Sequence, residues 1–249
     1  MALAFGIDIG GSGIKGAPVD LQSGFLAAPQ VRIDTPQPST PAAVTEVCRE
    51  VIAAFELPPG TPIGITFPGP IKRNVVRFVA NLDQSWVGVD VAAQMRQTLG
   101  TDVVAVNDAD AAGFAEVAFG AGAGVDGLIV VTTLGTGIGS ALIYNGVLIP
   151  CSELGHVELD GVDAETRAAA SVRTAENLDF PAYAQRLQRY YSHIEMLFSP
   201  DLFIVGGGVS AHHEQFLPLL DLQTPIVPAQ LRNEAGIVGG AALAAALSA

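Results

Sequence analysis

Apolar positions along the chain follow two periods. "AFGIDIG" is a near-continuous apolar run, the pattern of a strand covered on both faces. "GIKGAPVD" and "FLAAPQVRI" predict two further strands, joined by the turn-rich "DLQSG". Val44, Val47, Cys48, Val51, Ile52 and Phe55 then recur at helical spacing, with Thr40 placed to cap and Pro41 in the first turn. That spacing puts Cys48 on a buried helix face and gives it a packing role. "PIGITFPG" predicts a strand ending in a Pro-Gly turn. A helix from about Asp90 to Leu99 stops at Gly100, "DVVAVND" is a strand, and "ADAAGFAEVAFG" is a small-residue helix.

The middle of the chain repeats the start. "LIVVTTLGTGIGSALIYNGVLI" reads as strand, glycine turn, strand, Asn145-Gly146 turn, strand. With one gap, the six residues from Ser12 match the six from Thr136, which points to a duplication. A long amphipathic helix follows, with Tyr183, Leu187, Tyr190, Tyr191, Ile194, Leu197 and Phe198 on one face. "DLFIVGGGVS" runs into a third glycine turn, and "AGIVGGAALAAALSA" closes the chain as a helix. The expectation is two α/β lobes: residues 1–107 with the C-terminal helix 236–249, and residues 108–235.

Composition narrows the chemistry. The 249 residues are 49% hydrophobic and 15% charged, which suits a packed globular protein. Net charge is −13, and Lys15 and Lys72 are the only lysines. A general affinity for nucleic acid, which needs many basic contacts, is therefore not expected. Any anionic substrate must be held by backbone donors, a metal or a small basic cluster. No apolar run is long enough to cross a bilayer, and "MALAFGID" lacks the basic start of an export signal. Cys48 and Cys151 have neither zinc-site nor CxxC spacing, so a cytoplasmic protein is expected.

Gly11-x-Gly13-x-x-Gly16 is formally the dinucleotide-binding fingerprint, and Asp34 follows where a ribose carboxylate would lie. That fingerprint needs a helix opening on the glycines. Pro18 and the turn after "APVD" predict a β-hairpin instead, which disfavours a nicotinamide enzyme. A glycine hairpin can still bind phosphate. Gly10, Gly11 and Gly13 allow positive φ and bare the backbone N–H groups. Ser12 and Thr136 add hydroxyls, and Lys15 adds a charge. Asp8, just before the turn, would repel a bare phosphate, so it suggests Mg²⁺ bound directly or through water.

Asn107 and Asp108 lie where a strand passes into a helix, a common place for functional side chains. Helix capping by Asp108 is the competing structural role. "SELGHVELDG" contributes Glu153 and His156, and "DGVDAE" contributes Asp163 and Glu165. This cluster fits a polyol site better than a metal site. Carboxylates accept from hydroxyls, Asn and His fix direction, and Asp108 serves as general base for a hydroxyl attacking phosphorus. His212 and His213 are expected to be a solvated helix start.

"DIGGSGIKG", "NDADAAG", "TLGTGIGSAL", "SELGH", "DAE" and "IVGGGVS" occur in the order seen in the ROK family of sugar kinases and repressors. From about Phe5 to Ala245 the chain resembles the polyphosphate glucokinase subgroup. The resemblance implies an actin-like (ribonuclease-H-like) α/β fold, two lobes around a cleft, a homodimer, and phosphoryl transfer to the 6-hydroxyl of glucose. It implies Asp108 as base, with Asn107, Glu153, His156 and Glu165 holding the sugar and Asn81 bordering it. Gly10, Gly11, Ser12, Gly135, Thr136 and Gly137 would lie along the donor phosphates, and Gly206, Gly207 and Gly208 toward a nucleoside. The family's cysteine-rich zinc motif is missing, so no structural zinc is expected. The lysines common after "GGGVS" in the subgroup are replaced by Ala211-His212-His213. Lys72, Arg73 and Arg77 form the best candidate polyphosphate patch. A kinase of mannose or glucosamine, and a non-catalytic sugar sensor, are the competing readings.

Overall fold

The computed structural model describes residues 2–248, the side chain of Ser248 excepted. Its contacts divide into two units, residues 1–115 with 233–249, and residues 116–232. The division falls inside a helix, eight residues beyond the boundary expected at 107/108, because that helix's last turn packs into the second unit's core.

In the first unit, β1 (Leu3–Ile9), β2 (Gly13–Asp20) and β3 (Val31–Asp34) form an antiparallel meander. After α1 (Pro41–Ala53), β4 (Ile63–Phe67) pairs parallel to β1. A small hairpin follows, β5 (Ile71–Lys72) and β6 (Val75–Val76). After α2 (Val91–Leu99), β7 (Val104–Asn107) pairs parallel to β4 and leads into α3 (Asp108–Phe119). The third strand is shorter than "FLAAPQVRI" suggested. Pro29 has no N–H for a ladder, and only Leu26 makes a bridge, to Val19.

Strand alternation gives this sheet two different faces. Phe5, Ile7, Ile9, Ile63, Ile65 and Phe67 enter one core with Val44, Cys48 and Val51 of α1. Burial pushes the Cys48 thiol up to about 12, in keeping with a packing role. The other face carries small residues and receives the C-terminal helix, Ala235–Ser248. A Cβ on Gly64 would stand 1.8 Å from the carbonyl oxygen of Gly240, and one on Gly6 would stand 1.9 Å from that of Ile237. Helix and sheet therefore meet backbone to backbone.

The second unit repeats the plan. β8 (Leu128–Leu134), β9 (Ile138–Tyr144) and β10 (Val147–Ile149) form an antiparallel meander. Asn145 (φ 48°) and Gly146 (φ 77°) close its second hairpin with the left-handed pair that a tight turn requires. The chain continues through β11 (Glu158–Leu159), β12 (Val162–Asp163), α4 (Glu165–Ala168) and α5 (Ala170–Ala175) to α6 (Phe180–Phe198). β13 (Leu202–Gly206) and β14 (Ile226–Pro228) then add in parallel beside β8. The two strand orders, β3-β2-β1-β4-β7 and β10-β9-β8-β13-β14, are the same topology used twice. Tyr183, Leu187, Tyr190, Tyr191 and Ile194 of α6 pack on this sheet as the periodicity predicts. Leu197 does not; it is 52% exposed, and the buried stripe passes to Phe198.

Candidate active site

The parallel strands of each unit end at one edge of their sheet. In the first unit Asp8 pairs with Thr66, and Phe67 with Asn107, so the β1–β2 turn, the "FPGP" loop and the start of α3 share that edge. In the second unit Gly206 pairs with Thr133, which sets the third glycine turn beside the β8–β9 turn.

The first turn holds residues 10–13, closed by the Ile9–Ile14 pair and a bond from the Gly10 N–H to the Gly13 carbonyl at 2.9 Å. No helix leaves it; β2 runs on to Asp20, which removes the dinucleotide reading. The second turn is one residue shorter, 135–137 between Leu134 and Ile138, which explains the gap in the internal repeat. Among the described residues, the N–H groups of Gly11, Ser12, Thr136 and Gly137 donate to no protein acceptor, so each turn offers two backbone donors.

None of these turn glycines has positive φ, contrary to expectation. Close approach is the reason for at least two of them. A Cβ on Gly11 would lie 3.0 Å from Cβ of Asn81, and one on Gly137 would lie 2.3 Å from Oε2 of Glu165. The left-handed glycine is Gly207 (φ 82°), whose Cβ would strike the Leu134 carbonyl at 2.2 Å. Gly208 follows at the start of a 3-10 helix.

The cation at the first turn also differs from expectation. Lys15 lies opposite Asp8 across the β1–β2 ladder and pairs with its Oδ2 at 3.1 Å, while also donating to the Asn233 carbonyl. Arg32 is the residue that lies over the turn. Its Nη2 donates to the Ser12 carbonyl at 3.0 Å, and its Nη1 pairs with Asp34 at 2.7 Å. The sequence reading missed Arg32, because only the pairing of β2 with β3, which sets Arg32 opposite Lys15, lets its side chain reach back over Gly13. The second oxygen of Asp8 accepts from Thr66 at 2.6 Å. With both oxygens engaged, this carboxylate suits Mg²⁺ held through water, an ion that keeps several of its own waters.

Asn107 takes the capping role that the sequence left open for Asp108. Its Oδ1 accepts from the N–H groups of Ala109 (2.8 Å) and Asp110 (3.1 Å), and its Nδ2 donates to the Gly69 carbonyl at 3.1 Å. Asn107 thus fixes the junction on which Asp108 stands. Asp108 is exposed, with Oδ1 2.9 Å from the N–H of Ala109. Lys72, Arg73 and Arg77 lie exposed on and beside the β5–β6 hairpin, without ion pairs among the described residues.

In the second unit, Glu165 joins two groups that the sequence kept apart. Its Oε2 accepts from the Ile138 N–H at 3.1 Å beside the glycine turn, and its Oε1 is 3.9 Å from His156 Nδ1. Asp163, noted in the sequence without a role, is the direct partner of His156, Oδ2 to Nδ1 at 2.8 Å. His156, Asp163 and Glu165 bring their polar atoms within 4.8 Å of one another. The Asp163 hydrogen bond, helped by the charges around it, holds the imidazole above its usual range. Burial, with Glu165 adding repulsion, raises the Glu153 carboxyl. Ser171 also braces the turn, bonding to the carbonyls of Gly135 and Thr136.

The His156 interaction favours the folded state below the ordinary imidazole range and fades as pH rises through the elevated value. Asp163→Asn removes the largest cause of the elevation. NMR titration is expected to find His156 titrating at lower pH in that variant, with the protein still folded. An unchanged titration would separate His156 from Asp163.

Beyond the third glycine turn, a cavity of about 600 Å³ is lined by Ser210, His213, Pro228, Gln230 and Arg232, among others. His213 is half-buried, its Nδ1 3.1 Å from the Ser210 carbonyl, and so is not the solvated residue expected.

Residues 4–171 match the model of the ROK family. A polyphosphate glucokinase of Mycobacterium tuberculosis is 48% identical over 238 residues, covering 95% of this chain and 89% of that protein. The crystal structure of an inorganic polyphosphate/ATP-glucomannokinase from Arthrobacter sp. strain KM is 53% identical, with a TM-score of 0.91 and both chains covered in full. A ROK glucokinase from Streptomyces griseus, solved with glucose and AMPPNP, is 25% identical, with a TM-score of 0.79, covering 97% of this chain and 98% of that one. The duplicated sheet, its glycine turns and these likenesses agree: the chain belongs to the ROK family.

Proposed function

We propose that the protein is a glucokinase that transfers a phosphoryl group from inorganic polyphosphate, ATP or both to the 6-hydroxyl of glucose. The observation that carries this reading is Glu165, one carboxylate in contact with both a phosphate-type glycine turn and the His156–Asp163 pair. A sugar-holding group is thereby built into a phosphate-holding loop. The relatives described as polyphosphate glucokinase and polyphosphate/ATP-glucomannokinase support it.

In this mechanism Asp108 accepts the 6-hydroxyl proton as the sugar oxygen bonds to phosphorus. The bond to the leaving phosphate breaks, releasing ADP or a chain one phosphate shorter. Asn107, Asn81, Glu153, His156 and Glu165 orient the hydroxyls. Backbone N–H groups of Gly11, Ser12, Thr136 and Gly137 receive the donor phosphates, with Arg32 as the nearby cation. Gly206, Gly207 and Gly208 approach the nucleoside of ATP, whose base the neighbouring cavity of about 600 Å³ would take. Asp8 would hold Mg²⁺ through water; when bound, the ion neutralises phosphate charge. The reading carries with it a cytoplasmic homodimer, as the family likeness implies.

A coupled assay of glucose 6-phosphate formation, with polyphosphate and ATP in turn and with and without Mg²⁺, tests this function. No product from either donor would remove it. Mannose belongs in the same assay, because the relative at 53% identity is described as a glucomannokinase. Replacing Lys72, Arg73 and Arg77 together by Ala is expected to raise KM for long polyphosphate several-fold at low salt and leave KM for ATP unchanged. Equal effects on both donors would take the polyphosphate track away from this hairpin.

A further inference from the structure

The segment Glu158–Ala168 brings Asp163 and Glu165 to His156. Other side chains of the same segment, among them Leu159, Val162 and Arg167, line a cavity of about 500 Å³. The opposite wall is a stripe of α6 at helical spacing, including Arg186 and Arg189. Three of the twelve Lys and Arg residues of a chain with net charge −13 thus converge on one cavity.

Carboxylates answer this charge only in part. Arg189 pairs with Asp160 at 2.8 Å, and Arg186 pairs with Glu176 while donating to the Arg167 carbonyl at 3.2 Å. Arg167 makes no ion pair among the described residues. A second observation comes from α6 at this cavity. Tyr190 lines it and is 1% exposed, and its hydroxyl is buried without a hydrogen-bond partner. An unpartnered buried hydroxyl destabilises the empty protein, and an anionic oxygen in the cavity would accept a hydrogen bond from it.

We propose that this cavity is an effector site for a small phosphate-bearing anion, and that its occupancy changes glucose affinity through the Glu158–Ala168 segment. The guanidinium groups and the tyrosine hydroxyl supply donors for phosphate oxygens. The apolar side chains of Leu159 and Val162 leave room for a carbon skeleton. Arg186 and Arg189 already tie α6 to both ends of the segment, so an anion that redirects them shifts the backbone carrying Asp163 and Glu165. This coupling rests on the proposed sugar site; the anion site itself does not.

The test is calorimetric titration of the full chain with inorganic phosphate and, separately, with glucose 6-phosphate, repeated on Arg167→Gln and Tyr190→Phe. Each variant is expected to weaken binding about tenfold, the effect of losing one hydrogen bond to a charged group. Without anion, Tyr190→Phe should melt at or above the wild-type temperature, which separates a lost ligand contact from damage to the fold. Binding of glucose 6-phosphate alone would assign the site to sugar phosphates; binding of both would show that phosphate suffices. Binding that neither variant weakens would place the anion elsewhere and overturn the proposal. Glucose affinity, measured by titration and not by activity, should respond to the anion in the wild type and not in Arg167→Gln. Anion binding that depends on Arg167 but leaves glucose affinity unchanged would overturn the coupling and keep the site. Failure to bind glucose at all would sink the kinase reading and leave the phosphate arm intact.

Discussion

Asp108→Asn is expected to fold, bind glucose with near-normal affinity and lose about 10²–10⁴-fold in turnover. The substitution keeps shape and hydrogen-bonding reach but replaces the basic carboxylate that takes the hydroxyl proton with a non-basic amide. A loss of that size corresponds to ~3–5 kcal/mol of transition-state stabilisation. The fold should hardly respond. Asp108 is exposed, and the cap of α3 rests chiefly on Asn107, which accepts from two N–H groups of that helix. Stability is therefore expected within about 0.5 kcal/mol of wild type. Turnover by either donor, set beside calorimetric glucose binding, makes the comparison. Near-normal turnover would remove Asp108 from the role of base, and loss of glucose binding would make it a sugar ligand instead.

Gly64→Ala is expected to have the largest effect on stability. The added methyl would stand 1.8 Å from the carbonyl oxygen of Gly240 and 2.2 Å from its carbon. Both atoms are backbone, so no rotamer change relieves the collision; the C-terminal helix must lift from β1 and β4. Overpacking commonly costs ~1–3 kcal/mol, and a backbone collision belongs at or above the top of that range. For a protein of this size, ~3 kcal/mol lowers the midpoint by roughly 10 °C. Trp86 is the only tryptophan and is fully buried in the first unit, so its fluorescence reports that unit's melting. Wild-type melting of the variant would contradict the close helix–sheet contact.

Much of the fold was legible because it rests on local rules. Thr40 caps α1 and Asp90 caps α2, Gly100 ends α2 in the left-handed conformation, and Asn145-Gly146 closes its hairpin. The duplication could be read because the same alternation of apolar and polar positions recurs. The division of contacts within α3 was not legible for the opposite reason: a helix's periodicity does not say where its partners change.

The site was legible by residue type and order, less so by role. Asn107 and Asp108 were placed at a strand–helix junction, yet the chain alone could not assign the cap, since either side chain can reach the same N–H groups. Asp163 was visible without a task, because its partner His156 is seven residues away and brought back by the short β11–β12 hairpin. Arg32 carried no local signal at all.

The amino-acid sequence by itself determined the element order, the two glycine hairpins in place of a dinucleotide helix, and the family. These depend on periodicity, turn chemistry and motif order, all properties of neighbouring residues. Tertiary structure decided why the turn glycines are glycines, which cation stands at the first turn, and that Glu165 joins the His156–Asp163 pair to the β8–β9 turn. Each of those follows from close approach between segments distant along the chain, and only strand register and packing bring such segments within a few ångströms.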